Sequence, residues 1–302
     1  MSHHKNSADP PRRQNGPPAS AAHASVSLCA PEPDVSCFGC CPPIRPPHYD
    51  PLDYSGFLKR EFAENRRRFL QSGAHSRPIV GFSCWALGFL DHRGERIGCL
   101  LHPAQNQGED LRHLVGYDAK CRRESCRPAR VFAQLSSAAQ AFWLEPASGL
   151  SSFYFSSRRA NPLFHILGWG AKVLDQLHLE ALSNGWTATE LLSRQPFVTA
   201  RQWQPQAHRW LFGLALEREQ RRQSSPQSLQ KLCENLLQEA LAMAEVMDAA
   251  AGASVLVFSH QLPMPEDLKD FIRLGLGRRK ITLERARQIE RQLHRLLAEM
   301  MD

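Results

Sequence analysis

The stretch Val35-Ser36-Cys37-Phe38-Gly39-Cys40-Cys41 places three cysteines within five positions of one another. Two cysteines separated by two residues let a single turn of backbone aim both sulfurs at one ion, and Gly39 between them permits the tight conformation this needs. Cys84, Cys99, Cys121 and Cys126 follow, with 42, 14, 21 and 4 residues in the successive intervals, so that seven cysteines fall within 90 residues. Packing alone does not call for that density. Thiolates are soft donors that select zinc, copper(I) or iron–sulfur centres over magnesium or calcium. A closed zinc site takes four ligands, so seven cysteines fill one such set and leave donors for a second ion. The intervals match neither a pair of zinc-ribbon knuckles nor a ferredoxin run, and the count leaves the metal open.

Working outward, residues 1–33 are rich in Pro, Ser and Ala with no apolar period, and read as a disordered tail. Residues 34–130 read as a cysteine-rich metal-binding module with an irregular fold. Within it, Leu52 to Leu70 has helical spacing, with Phe57, Leu58, Phe62, Phe69 and Leu70 apolar and arginines on the other side.

Residues 131–302 read as a mostly helical domain. Ser225-Pro226 is a cap followed by a first-turn proline, and Leu229, Leu232, Leu236, Leu237, Ala240, Leu241, Ala244 and Met247 carry one buried stripe towards Gly252. Ser254 to Phe258 reads as a short buried strand. A last helix is expected from Thr282, with Ile289, Leu293, Leu296, Leu297 and Met300 on one face, docked either on the core or on a partner. Phe164, Trp169, Trp186, Trp203 and Trp210 read as core aromatics. The fold class expected is therefore mainly α, with an irregular cysteine-rich module and a helical C-terminal half.

The chain has 302 residues, a net charge of +7 and a pI near 9.1. The basic groups at 66–68, 122–123, 221–222 and 278–280 are scattered and several have acidic neighbours, which argues against specific nucleic-acid binding. No stretch approaches the roughly 20 apolar residues that span a bilayer. The first residues lack the apolar core of a secretory signal, so a cytoplasmic location is expected. In that reducing compartment cysteines serve metals or redox chemistry more often than structural disulfides.

These cysteines resemble those of the YkgJ-like zinc- or iron-chelating family, known for a CxxCxxCC motif and often described as holding an iron–sulfur cluster. The resemblance covers about residues 34–130. Cys37, Cys40 and Cys41 align with the last three motif cysteines. Cys84 in Gly-Phe-Ser-Cys-Trp and Cys99 in Gly-Cys-Leu-Leu-His-Pro look like the family's central pair, Cys121-Arg122 like its closing Cys-Arg, and Cys126 like an extra ligand. The first motif cysteine would fall at Asp34. Asp34 as an oxygen ligand, Cys29 reaching in from the tail, or Cys126 are the three ways to fill that place. Flagellin lysine methylases look similar around such cysteines, though no glycine-rich nucleotide loop accompanies them here.

Cys29 and Cys233, each alone in its segment, read as a tail thiol and a helix-core residue. His48, His92 and His102 are secondary candidates, His102 the best placed, three residues beyond Cys99. Arg122 and Arg123 would favour the thiolate form of Cys121. Ser259-His260 lacks the strand-turn-helix setting of a hydrolytic nucleophile.

The expectation is a metal-binding protein with Cys37, Cys40, Cys41, Cys84, Cys99, Cys121 and Cys126 as ligands to an iron–sulfur cluster or iron, with zinc as the alternative. The competing expectations are a metal-dependent redox or group-transfer enzyme and a zinc-stabilised interaction scaffold that binds a protein partner through its C-terminal helices.

Overall fold

The first helix, α1 (Tyr54–Ser72), forms where the apolar residues recur at helical spacing, and it stops at Gly73, whose N–H returns to the Phe69 carbonyl at 2.8 Å with φ +71°. The computed structural model describes residues 26–32, 34–39, 41, 53–77, 84–116, 121, 126–219, 226–249 and 256–299. Leu58 and Phe62 are buried on one face of α1, while Glu64 pairs with Arg67 and Arg68 on the outside. Leu70, expected on the buried face, is 67% exposed, because it lies one residue, about 100°, beyond Phe69, which packs against the cluster in that last turn.

That neighbour is an antiparallel hairpin of β1 (Leu87–Phe89) and β2 (Ile97–Cys99), in the register Leu87↔Cys99, Gly88↔Gly98 and Phe89↔Ile97. Its turn is held by Asp91, whose carboxylate accepts the N–H groups of Glu95 and Arg96. Helix α1 and the hairpin close a small apolar cluster of Leu58, Phe62, Ala86, Leu87, Phe89, Ile97, Leu101 and Val115.

The rest is a helical body: α2 (Arg127–Phe132), α3 (Ser137–Leu144), α4 (Ser152–Phe155), α5 (Leu163–Ile166), α6 (Ala171–Asn184), α7 (Ala188–Arg194), α8 (Pro205–Glu219), α9 (Pro226–Ala249), α10 (Glu266–Asp270) and α11 (Leu283–Glu299). Local chemistry sets several starts. Ser136 caps α3 by accepting from Ala139 N–H, and Thr187 with Glu190 forms a reciprocal capping box on α7.

At the centre Phe197 stacks on Phe212 at 4.2 Å, with Trp169 and Trp203 edge-on to Phe212 at 4.9 and 4.8 Å. Trp169, Trp203 and Phe164 are buried as expected, while Trp186 and Trp210 are partly exposed. The α9 stripe is buried at Leu229, Leu236, Ala240 and Ala244, with Cys233 fully inside as a core residue. Leu241 has turned outward, and Met247 lies outside the residues whose side chains are described.

Helix α11 begins one residue after Thr282, whose hydroxyl accepts the Arg285 N–H, and it buries Ala286, Ile289, Leu293 and Leu297 against α9. Its apolar stripe is therefore spent on the protein's own core. Within the expected buried strand at 254–258, Val257–Phe258 form β3, paired with β4 (Lys280–Ile281), and Ser254 and Val255 lie outside the described residues. Phe258 is 46% exposed, its ring covered by Lys280, because a two-residue edge pair has no second layer over it.

The expected tail boundary moves too. Residues 1–25 lie outside the described residues, but Leu28 is 2% exposed and belongs to the helical core, as do Ala129 and Val131. The chain enters through the helical body before it reaches the cysteine segment. Mainly helical architecture is what the sequence predicted, and no helix among the described residues is long and apolar enough to cross a membrane.

Candidate metal centre

The cysteine segment runs between the two apolar clusters. Ser36 N–H donates to Ser152 Oγ at 3.1 Å, Ser36 Oγ donates to the Ile97 carbonyl at 2.6 Å, and Phe38 N–H donates to Ser156 Oγ at 2.9 Å. These bonds stitch residues 36–38 to β2 on one side and to α4 on the other. Residues 36–38 are neither helix nor strand, and their contacts fall on two faces. Ser36 and Phe38 accordingly turn to the hairpin side, Phe38 meeting Phe62 edge-on at 5.9 Å, and Cys37 turns to the helical body.

Gly39 is needed for a reason other than the one its spacing suggested. Its φ is not in the left-handed region, but a Cβ there would stand 2.6 Å from the Ser156 carbonyl oxygen. The backbone approaches α4 too closely for any side chain.

The packing contacts, with a turn closed by the Cys41 N–H on the Phe38 carbonyl at 3.0 Å, sort the candidate ligands into two groups. Cys41, Cys84, Cys99 and Cys121 pack against the α1–hairpin cluster. Cys37 and Cys126 pack against the helical body. Cys29 joins that second group: its carbonyl accepts the Cys37 N–H at 2.9 Å, and Cys29, Cys37 and Cys126 line one small cavity. Cys40 lies outside the described residues, as do His48, Arg122 and Arg123. Of the three ways to fill the missing motif position, Asp34 is exposed and away from that cavity, whereas Cys29 and Cys126 both face it. Cys29 is therefore a wall residue, not a tail thiol. The signal for it was the short apolar run Val26-Ser27-Leu28 just before it.

In the first group the hairpin and the turn before it supply the geometry. Cys84 precedes β1 and is 7% exposed, and Cys99 ends β2 directly opposite Leu87. Burial pushes the Cys84 thiol up to about 11, eased by the Ala86 N–H and reinforced by Cys121. Burial likewise pushes Cys99 up to about 12, the Leu101 N–H opposing it and Cys84 and Cys121 adding to it. Three thiols close enough to oppose one another's ionisation thus share a poorly solvated spot, where a thiolate is stable only beside a cation.

Arg112 lowers Cys99 slightly while bound in a bidentate pair to Asp110 at 2.9 and 2.8 Å. That guanidinium holds the Asp110 carboxyl below the usual carboxylate range. His102 is 8% exposed and is occupied as a cap, its Nδ1 accepting the Ala104 N–H at 3.2 Å; His92 is exposed. Ser259 is buried and donates to the Arg278 carbonyl, beside an exposed His260, which leaves no nucleophile–base pair there.

Sequence reasoning missed Asn65. It sits on the buried face of α1 at 5% exposure and donates to the Leu87 carbonyl at 2.9 Å and the Cys84 carbonyl at 3.4 Å. The spacing Leu58, Phe62, Asn65, Phe69 puts a polar residue on the apolar stripe, and that pattern could have singled it out.

Among the described residues, no three His, Cys, Asp or Glu side chains stand together in a geometry that would hold a metal ion. A closed ligand set therefore needs a sulfur from outside those residues, Cys40 foremost, or a drawing together of the sulfurs already grouped. The donor chemistry itself fits a thiophilic metal: buried sulfurs, a nearby guanidinium and few competing oxygens. A scan of protein-family models and searches of curated proteins and of solved structures return no match to this chain.

Proposed function

We propose that this protein binds a metal through cysteine thiolates, with Cys84, Cys99, Cys121 and Cys41 as the principal set, holding an iron–sulfur cluster or a single iron or zinc ion. The observation that carries this is the packing of those four cysteines, from four separate places in the chain, against one apolar cluster. The resemblance of residues 34–130 to the YkgJ-like family supports the same reading from sequence. A bound centre would supply electron transfer if it is iron and a structural cross-link if it is zinc.

The protein's own residues supply the rest. Asn65 and the hairpin fix Cys84 and Cys99, Arg112 offsets negative charge on the sulfur set, and the apolar wall from Phe62 to Leu101 excludes water. The reading also carries a reducing, cytoplasmic setting. A protein partner at the C-terminal helices would meet the outer face of α11, since its apolar stripe is internal.

Purification without oxygen, followed by elemental analysis and an absorption spectrum, tests the proposal. Cys84→Ser is expected to lose metal, and Cys233→Ser, in the α9 core, to keep it. Equal metal content in the two variants would remove the ligand assignment, and wild-type protein free of metal would remove the proposal altogether.

A further inference from the structure

Asp270 closes α10, and the chain runs from it into a π-helical turn, Phe271–Gly275, in which the Leu276 N–H meets the Phe271 carbonyl at 2.9 Å. The turn lies hard against α8, since a Cβ at Gly275 would stand 3.0 Å from the Ala207 carbonyl oxygen. That close approach brings Gln206 and Arg209 of α8 to the Asp270 carboxylate. Arg273 reaches it from the turn itself, three residues on, and Arg127 from the start of α2.

Three guanidiniums thus meet one carboxylate, and three positive charges against one negative leave an excess of two. Among the described residues no second acidic side chain pairs with any of the three. Their donors are also largely unspent. A guanidinium carries five N–H groups in a rigid fork. Arg209 gives one to Asp270 at 3.0 Å and Arg273 one at 2.7 Å, whereas Arg127, at 3.6 Å, is beyond hydrogen-bond distance and contributes charge alone. The base of the cluster is poorly hydrated, with the side chains of Arg209 and Asp270 only 14% and 12% exposed. Arg127 and Arg273 are more open, at 32% and 37%, and Gln206 beside them is exposed. Like charges gathered in such a place repel, and a single carboxylate offsets only part of that repulsion.

We propose that Arg127, Arg209 and Arg273, held in place by Asp270, form a binding site for a phosphate-type oxyanion, either free phosphate or the phosphate of a monoester. The charge count selects a dianion, which together with Asp270 sets three negative charges against the three guanidiniums. Geometry agrees, because the fork of a guanidinium matches two oxygens of one phosphate group. Arg127 and Arg273, on the open side, supply the contacts, and Asp270 acts as the positioning residue. No cysteine takes part. The site therefore stands apart from the metal-binding reading, and the failure of either leaves the other in place.

The test is calorimetric titration of the full-length protein with inorganic phosphate and, separately, with phenyl phosphate, at constant ionic strength set with chloride. Wild type, Arg127→Gln and Arg273→Gln are compared with Arg67→Gln, which removes an arginine from the outer side of α1. Wild type is expected to bind one equivalent of at least one of the two compounds. Arg127→Gln and Arg273→Gln should each weaken that binding by at least about tenfold, the loss of one charge-assisted hydrogen bond, and Arg67→Gln should leave it unchanged. Binding of inorganic phosphate alone supports the site with the free ion as occupant, and tighter binding of phenyl phosphate supports it with a monoester.

No saturable binding of either compound to wild type refutes the proposal. So does equal affinity in all four proteins, or a loss in Arg67→Gln as large as in the other two, which would show a diffuse response to net charge. Both cluster variants remove a partner of Asp270, so helical circular dichroism is recorded for each. Should either fail to fold, Arg273→Lys takes its place: it keeps a positive charge beside Asp270 and loses the fork, and unchanged affinity in that variant refutes the assignment.

Discussion

Replacing Asn65 by alanine is expected to loosen the wall that holds Cys84 and Cys99 while leaving the helical body intact. The backbone shows why. Leu100 N–H donates to the Ala86 carbonyl and Leu90 N–H to the Arg96 carbonyl, which makes those the hydrogen-bonded rows of the hairpin. By alternation, Leu87 and Phe89 are non-bonded positions whose carbonyls point away from β2, towards α1. Asn65 Nδ2 meets the Leu87 carbonyl at 2.9 Å and Arg66 Nη1 meets the Phe89 carbonyl at 3.0 Å. The Leu87 residue is 1% exposed, so no water replaces a lost amide. An unsatisfied buried carbonyl costs roughly 1–3 kcal/mol, and about 2 kcal/mol corresponds to a roughly 30-fold rise in local opening.

Hydrogen exchange by mass spectrometry resolves this by segment. Peptides covering 54–72 and 84–101 should exchange roughly 30-fold faster in Asn65→Ala, and peptides from α6 and α8 should be unchanged. Asn65→Leu restores the volume without the donor and should remain fast. If Asn65→Leu behaves as wild type, packing and not the hydrogen bond holds the wall. If Asn65→Ala exchanges within about twofold of wild type, the argument from strand alternation is wrong.

Two further outcomes follow from the electrostatics. In the metal-free protein, Cys84 and Cys99 are pushed from 9.0 up to about 11 and about 12, so the stability gained by keeping them protonated is complete below pH 9 and is lost as pH rises from there to about 12. The two-unit rise at Cys84 is worth roughly 3 kcal/mol. Urea midpoints should fall across that window in wild type and fall less in Cys84→Ala; a flat profile would show that the thiols are not buried as described. In the helical body, Asp270 is 8% exposed and accepts from Arg209 at 3.0 Å, Gln206 at 3.2 Å and Arg273 at 2.7 Å, with Arg127 at 3.6 Å. Asp270→Asn leaves three arginines facing a neutral group. About 3 kcal/mol of stability should be lost, towards the low end for a broken buried pair because Arg127 and Arg273 are partly hydrated. A midpoint unchanged in denaturant would mean that the carboxylate contributes nothing.

Much of the helical half was legible because helical burial writes itself into the sequence at a fixed period. The α9 and α11 stripes, the Thr282 start and the core position of Cys233 all follow from neighbours three and four residues apart. The strand at 254–258 was legible only in part, at Val257–Phe258, because a short apolar run does not say which of its side chains will be covered, and Phe258 is 46% exposed. Leu70 failed because it lies one residue beyond the stripe of Leu58, Phe62, Asn65 and Phe69 and so turns to the outer side.

For the site, the sequence by itself determined the donor type and its density, since sulfur chemistry belongs to the residue and not to its surroundings. The resemblance to the YkgJ-like family added the expectation that Cys84 and Cys99 form a pair. Only the tertiary structure decided how the sulfurs are divided. Cys37 and Cys41 lie on opposite sides of the strap because Ser36 and Phe38 are pinned between β2 and α4, and Cys29 enters because Leu28 is buried in the helical core. Those contacts join residues more than 60 positions apart, such as Ser36 to Ile97 and Ser36 to Ser152. No local pattern encodes them, because the free energy that selects the pairing arises only when the two surfaces meet.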